Sequence, residues 1–152
     1  MTNEVHEFYM FSGQDEDAFN SENGSTCFPL YTCAGQVIAT LTSAVQGGGH
    51  TLINDVYADL YVCTHKETLT EILTRLCSAV MMISAGSIIH ISAKSIGNIT
   101  LIHFKGDHVL FSRELTHRLQ QTEALVERLG GCITVSNSRQ YGIDLAFTFV
   151  NH

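Results

Sequence analysis

The stretch that decides the fold reads Leu125-Val126-Glu127-Arg128-Leu129-Gly130-Gly131-Cys132-Ile133-Thr134-Val135-Ser136. Its first residues continue a pattern with apolar side chains on one helical face, and the two glycines end that helix because glycine reaches left-handed backbone conformations cheaply. The residues after the glycines alternate apolar and polar, as a strand with one buried face does. A second such strand, with aromatic residues, follows at 143–150 after a polar segment. We therefore predict a helix joined directly to a pair of strands.

Upstream of this stretch, helices also alternate with pairs of strands. Apolar spacing predicts a first helix at about 30–46, a second that starts at a capping box of Thr64 and Glu67, and a third capped by Ser112. The strands are predicted at 50–56, 59–62, 89–94, 100–104, 132–136 and 143–150. This order predicts an α+β two-layer sandwich, with a mixed, mostly antiparallel sheet covered on one face by three helices. The residues predicted to face the helices are Ile89, Ile91, Ala93, Ile102, Phe104, Ile133, Val135, Leu145, Phe147 and Phe149.

Composition and charge limit the possible functions. The 152 residues fit one domain, and no apolar stretch is long enough to span a membrane. The net charge is -7, and six acids but no Lys or Arg precede residue 27. We therefore expect an acidic, mostly irregular leader at 1–26 and a domain at 27–152. Basic patches are absent from the leader, which argues against nucleic acid or an anionic membrane as partner.

The N-terminal residues also lack the positive charge and apolar region of a secretory signal, so we expect a cytoplasmic location. The five cysteines contain no CxxC pair, which indicates reduced, buried thiols and neither a disulfide framework nor a zinc site. Two strand histidines, His90 and His103, could share a metal, but no third ligand is evident in the sequence. They are interpreted as exposed strand residues, and no metal or cofactor is expected.

The quoted stretch, followed by Gly142-Ile143-Asp144-Leu145-Ala146-Phe147-Thr148-Phe149, resembles the end of histidine kinase ATPase domains. That family ends with a helix, a Leu-Gly-Gly stop, a strand like Ile-x-Val-x-Ser and an aromatic strand. The resemblance extends over about residues 28–150 and implies the Bergerat-type fold of the GHKL superfamily. It also implies where a nucleotide site would lie.

The residues at those implied positions differ from the family's. On the second helix, Arg75 and Ala79 stand where the family has asparagines, the second of which holds Mg²⁺, and Met82 replaces a lysine. Gapless alignment puts Gly106, His108 and Leu110 at the family's Asp-x-Gly-x-Gly, although a register slip would bring in Asp107. Thr116 and Arg118 replace the Gly-x-Gly whose backbone amides receive phosphates. About ten residues separate Gly106 from Thr116, which leaves no room for the family's ATP lid.

These differences predict a pseudo-ATPase and not an enzyme: a non-catalytic, protein-binding regulatory module of bacterial two-component signal transduction. The expected partner is a kinase, a response regulator or a phosphotransfer protein, and a homodimer is possible. One alternative is a phosphotransfer or scaffold subunit, for which His6 is a weak phosphoacceptor candidate. Another is a histidine kinase-type domain that retains weak nucleotide binding through Asp107.

Overall fold

The computed structural model describes residues 9–12, 24–44, 51–82, 88–106, 113–138 and 142–152. Their elements are, in chain order, β1 (Tyr9–Ser12), β2 (Ser25–Pro29), α1 (Leu30–Ala44), β3 (Thr51–Asn54), β4 (Tyr61–His65), α2 (Lys66–Met82), β5 (Ile88–Ile96), β6 (Ile99–Gly106), α3 (Arg113–Arg128), β7 (Cys132–Ser138) and β8 (Gly142–Val150). No helix in these ranges is long and apolar enough to cross a membrane.

Six strands form the main sheet in the order β1-β7-β8-β6-β5-β3, and β2 pairs with β4 in a small second sheet. Every neighbouring pair is antiparallel except β3 with β5, which is parallel. All ten side chains predicted to face the helices are buried, and the cluster they join includes the apolar faces of α1, α2 and α3. The predicted two-layer sandwich with a mixed, mostly antiparallel sheet is confirmed.

The hairpin of β5 and β6 has the register that the sequence predicts. Ile96 pairs with Ile99 across the turn, so that His90 lies opposite Lys105 and His103 opposite Ser92. Gly97, in the turn, has a φ of 62°, a left-handed conformation that glycine adopts without strain. The period-two alternation of the two strands thus identified both the pairing and the buried face.

The start of α2 differs from the prediction. Thr64 lies in β4 with its side chain fully buried, and it does not cap the helix. The cap is His65, whose Nδ1 accepts a hydrogen bond from the Thr68 backbone N–H at 3.2 Å. The Thr68 hydroxyl also lies 2.8 Å from the same nitrogen. The capping box was wrong because β4 runs to His65, and an imidazole can supply the acceptor that a helix N-terminus needs.

The N-terminal part of the chain contributes two strands that the sequence pattern did not reveal. β1 lies within the expected leader and pairs with β7. It is the edge strand of the main sheet beside β7. β2 begins at Ser25, so the boundary placed between residues 26 and 27 falls inside a strand. Strands of four or five residues are too short to show a clear period-two pattern, and their formation depends on the partner strand.

The junction between α3 and β7 fixes how these two elements meet. Gly130 has a φ of 66°, and the backbone N–H groups of Gly130 and Gly131 donate to the carbonyls of Glu127 and Val126. A Cβ on Gly131 would lie 1.8 Å from the Thr148 carbonyl oxygen of β8. The Val150 N–H donates to the Leu129 carbonyl at 3.1 Å. The end of α3 is therefore attached to β8 as well as continued by β7.

The cysteines correct one expectation. Cys27 and Cys63 are register partners in the antiparallel pair of β2 and β4, and they form a disulfide. The disulfide could not be predicted from cysteine spacing, because the two residues lie 36 positions apart and are brought together only by the strand pairing. Cys33 and Cys77 are free, buried thiols, as expected, and Cys132 is free and half-buried.

The chain's last residues join the two sheets. The Asn151 N–H donates to the Asn98 carbonyl at 2.7 Å, in the turn of the β5–β6 hairpin. The Asn151 Oδ1 accepts from the Cys63 N–H at 3.2 Å, and the His152 N–H donates to the Cys63 carbonyl at 2.9 Å. Because Cys63 also carries the disulfide to Cys27, one residue of β4 is joined both to β2 and to the residues that follow β8 of the main sheet.

The contact of Gly131 with β8 predicts a large effect of one methyl group. We expect Gly131→Ala to lower the free energy of unfolding by about 3 kcal/mol or more, because the clash is with main-chain atoms that cannot turn away. Gly97→Ala is the control: it meets no atom within 4 Å and should cost only about 1 kcal/mol, from its positive φ. Urea denaturation measures both. Equal losses would contradict the close approach.

The disulfide predicts a thiol count and a stability difference. Denatured, unreduced protein should contain three titratable thiols and reduced protein five. Reduction, or Cys63→Ser, should lower the free energy of unfolding by about 3 to 4 kcal/mol, because the bond closes a long loop. Cys132→Ser, which touches no disulfide, is the control for loss of a cysteine. Five thiols before reduction would show that the pair is not bonded.

Candidate functional site

The site implied by the resemblance lies where α2 packs beside α3. Arg75, on α2, joins the two helices. Its Nη1 donates to the Gln121 carbonyl of α3 at 3.2 Å, and its Nε and Nη2 donate to Glu71 Oε2 at 3.2 and 2.8 Å. Glu71 lies one turn before Arg75 on the same helix. The guanidinium thus has a charged partner and a backbone partner, both within the chain.

Ala79 lies on the buried face of α2, and only 2% of its surface is exposed. Its neighbours along that face, Leu76 and Cys77, are fully buried. Burial raises the pKa of the Cys77 thiol to about 12, because the thiolate has no partner in that apolar surrounding. Position 79 therefore presents a packed methyl group, without an oxygen or nitrogen to bind a cation.

Two further predicted positions lie at the ends of elements. Met82 is the last residue of α2, and 63% of its surface is exposed. Gly106 ends β6, is buried, and pairs with Ile89 of β5 and Ile143 of β8. Asp107 and Leu110 lie outside the described residues, as does His108. β6 ends at Gly106 and α3 begins at Arg113, so residues 107–112 are all that connects them.

Thr116 and Arg118 lie in the first two turns of α3, and both are half-buried. The Arg118 Nη2 donates to Glu114 Oε2 at 3.2 Å, and the Arg118 carbonyl accepts from the Thr122 hydroxyl at 3.1 Å. The Arg118 Nε is buried without a hydrogen-bond partner in the described part of the chain. Glu114, in the first turn, places a negative charge at the end of the helix that would otherwise favour an anion.

The two ion pairs were readable from the sequence, whereas the contact between the helices was not. Glu71 with Arg75 and Glu114 with Arg118 are each four residues apart, the spacing at which side chains on a helix meet. Gln121 contributes only its backbone carbonyl, so the contact with Arg75 could not be predicted from the residue type at position 121. Arg75 therefore acts as a bridge between α2 and α3, a role that spacing alone could not indicate.

The strand histidines form two separate pairs with aspartates. His90 Nδ1 lies 2.7 Å from Asp55 Oδ2, and His103 Nδ1 lies 2.9 Å from Asp144 Oδ1. The carboxylates come from the neighbouring elements, since Asp55 follows β3, which pairs with β5, and Asp144 lies in β8, which pairs with β6. Within the described ranges, no three His, Cys, Asp or Glu side chains converge as metal ligands would.

The fold is that of histidine kinase catalytic domains. A nucleotide-free form of the catalytic domain of the histidine kinase ThkA matches with a TM-score of 0.72 at 15% identity, over 84% of this chain and 97% of that one. The Acinetobacter baumannii histidine kinase AdeS matches with a TM-score of 0.71 at 12% identity, over 88% of this chain and 68% of that one.

A third match is the histidine kinase ThkA solved in complex with the response regulator protein TrrA. Its TM-score is 0.69 at 16% identity, over 84% of this chain and 42% of that one. No protein-family model and no curated protein sequence matches the chain. At these identities the likeness establishes the fold, and the chemistry has to be argued from the residues at the site.

The burial of Ala79 predicts the result of restoring an asparagine. We expect Ala79→Asn to lower the free energy of unfolding by about 2 kcal/mol, because the larger amide is buried without partners among apolar side chains. Ser78→Asn is the matched control on the adjacent, half-buried position, and should change stability by less than about 0.5 kcal/mol. Urea denaturation again gives both values. An Ala79→Asn variant as stable as the control would mean that position 79 faces an open cleft.

Proposed function

We propose that this chain is a non-catalytic, histidine kinase-like regulatory module that acts in signal transduction by binding a signalling protein. The observation that carries the proposal is the packed methyl group of Ala79, at the position where the resemblance places the Mg²⁺-binding asparagine. A Mg²⁺ ion that bridges phosphates needs oxygen ligands from the protein. Without one at this position, the helix cannot hold the metal that nucleotide chemistry in this fold requires.

The surrounding charges support the same proposal. Arg75 is bonded to Glu71 and to the Gln121 carbonyl, and Arg118 is bonded to Glu114. A phosphate would have to displace these partners, and the two carboxylates would repel it. Thr116 and Arg118 also bring side chains to positions where the resemblance expects the bare backbone of glycine. The partners of Arg75 and Arg118 thus disfavour anion binding, and Arg75 in addition joins α2 to α3.

The short connection between β6 and α3 is a further argument. Only residues 107–112 lie between the two elements. A segment of six residues is too short both to connect β6 to α3 and to cover a nucleotide as a lid does. The alternative of weak nucleotide binding depends on Asp107, which belongs to this short connection. Point substitutions at a site can be compensated by neighbours, whereas a missing segment cannot.

A signalling protein is the partner class that the comparisons favour. The kinase ThkA, which has the same fold, was solved in complex with a response regulator. By analogy, we propose that a response regulator, kinase or phosphotransfer protein binds this chain. A bacterial, cytoplasmic setting follows from the same proposal, although the Cys27–Cys63 disulfide counts against it because such bonds are rare in that compartment.

Nucleotide binding tests the non-catalytic part of the proposal. Millimolar ATP or ADP with Mg²⁺ should leave the melting temperature of this protein unchanged within about 1 °C, because a ligand stabilises a fold only by binding to it. ShkA, a protein of similar fold that was solved in complex with AMPPNP, is the positive control under the same conditions. A rise of several degrees here, lost in Asp107→Asn, would overturn the proposal in favour of residual nucleotide binding.

Two further measurements separate the remaining alternatives. Transfer of labelled phosphate from a phosphorylated response regulator to this chain, abolished by His6→Ala, would favour the phosphotransfer subunit. Light scattering over a range of concentrations would detect a homodimer, which a scaffold subunit requires. Protein that takes up no phosphate and binds a kinase or regulator is the result expected here.

A further inference from the structure

Three tyrosines lie exposed around the junction of β2 and α1. Tyr31 is 44% exposed, Tyr57 72% and Tyr61 62%, and they are the large hydrophobic side chains exposed in this part of the molecule. Tyr57 and Tyr61 are the ends of the segment 57–61, which leads into β4, and Tyr31 is the second residue of α1. With Asp59, which lies between Tyr57 and Tyr61, they are called here the tyrosine surface.

Backbone hydrogen bonds hold the tyrosine surface together. The Leu30 N–H donates to the Leu60 carbonyl at 3.0 Å, and these residues precede Tyr31 and Tyr61. The Leu60 N–H donates to the Tyr57 carbonyl at 3.2 Å, and Tyr61 pairs with Pro29 across the small sheet. Asn54 Nδ2 donates to the Tyr31 carbonyl at 3.1 Å. The three backbones are therefore neighbours on a framework that is fixed before any partner binds.

The part of the sequence that contains the tyrosine surface carries charged side chains of one sign. The first 65 residues of the chain contain eight acids and no Lys or Arg, and all of the tyrosine surface belongs to this half. Residues 66–152 contain seven acids and eight bases, so the whole excess of negative charge lies in the N-terminal half. Asp55, the other acid near the surface, is paired with His90, whereas no described residue pairs with the carboxylate of Asp59.

A lysine that follows this part of the chain already contacts an aromatic ring. Lys66, the first Lys or Arg of the chain, places its ammonium group 5.5 Å from the centre of the Phe28 ring, in β2. Aromatic faces attract cations, and an arginine gains more than a lysine because its planar guanidinium stacks on a ring while it pairs with a carboxylate. Exposed tyrosines beside an unpaired aspartate offer both contacts at once.

We infer that the tyrosine surface is the docking site for an arginine-bearing segment of a partner protein. The arginine stacks on the tyrosine rings and pairs with Asp59. Tyrosine and arginine are the residues in which protein interfaces are enriched, and stable contacts centre on a few such side chains. This inference rests on the proposed function, since it names the surface and the chemistry by which the module would hold its signalling partner.

Titration with synthetic peptides tests the inference. The probe is a short peptide in which arginines alternate with glycines, compared with the lysine peptide of the same length. Three of the protein's five tyrosines belong to this surface, so their assigned ring signals in NMR report on it. We expect the arginine peptide to bind more tightly than the lysine peptide, with the signals of Tyr31, Tyr57 and Tyr61 shifted, and with binding weakened by added salt.

Variants locate the binding. The double variant Tyr57→Ala/Tyr61→Ala should weaken the arginine peptide about tenfold and Asp59→Asn about threefold, without a change in melting temperature, because all three side chains are exposed. Met82→Ala, equally exposed at the end of α2, and Glu127→Gln, an exposed acid on α3, are the matched controls and should bind as the wild type does.

Two outcomes would overturn the inference. Binding that survives in the double variant would place the peptide on the acidic residues that precede β2, and no binding at all would leave the surface without this ligand. Neither outcome bears on nucleotide binding, which the melting experiment decides separately. A thermal shift with ATP would in turn refute the non-catalytic role while leaving the peptide result intact.

Discussion

The close approach of Gly131 to strand β8 is the constraint on which the rest of the structure depends. Because Gly131 has no side chain, the end of α3 lies directly against the backbone of Thr148 and Phe149. Leu115, Leu119, Val126 and Leu129, on and directly after this helix, are buried, and the helix also packs against α2. A methyl group at this point would separate helix from sheet, and with it the α2–α3 contact through which Arg75 reaches Gln121.

The order of elements and the buried face of the sheet could be predicted because both depend on short-range pattern. Ile89, Ile91 and Ala93 alternate with His90 and Ser92, and this alternation alone identified the core side of β5. The two N-terminal strands could not be predicted in this way. β1 is four residues long and is placed by β7, whereas β2 is placed by β4, so their pairing depends on residues far along the chain.

The candidate site divides in the same manner. The positions of Arg75, Ala79, Thr116 and Arg118 on α2 and α3 could be predicted because helical spacing and the Gly-Gly stop fix the register. What each side chain contacts could not. Whether Arg75 would point to solvent or bridge two helices depends on a backbone carbonyl 46 residues away, and the same holds for Asp55 beside His90. Tertiary contacts of this kind leave no trace in spacing, and the Cys27–Cys63 pairing is a further example.

The α2–α3 positions and the tyrosine surface differ in how many of their charged groups already have partners within the chain. A site for a charged ligand has polar groups that are free to bind it. If those groups already have internal partners, the ligand must displace them, and the free energy of the lost contacts offsets that of the new ones. At the α2–α3 positions the guanidinium groups are bonded within the chain, and one nitrogen, Nε of Arg118, is left buried without a partner in the described part. Around the β2–α1 junction three tyrosine side chains are exposed, and none of the described residues pairs with the carboxylate of Asp59. The proposed docking surface in the N-terminal half thus differs from the α2–α3 positions, where Arg75 and Arg118 already have partners within the chain.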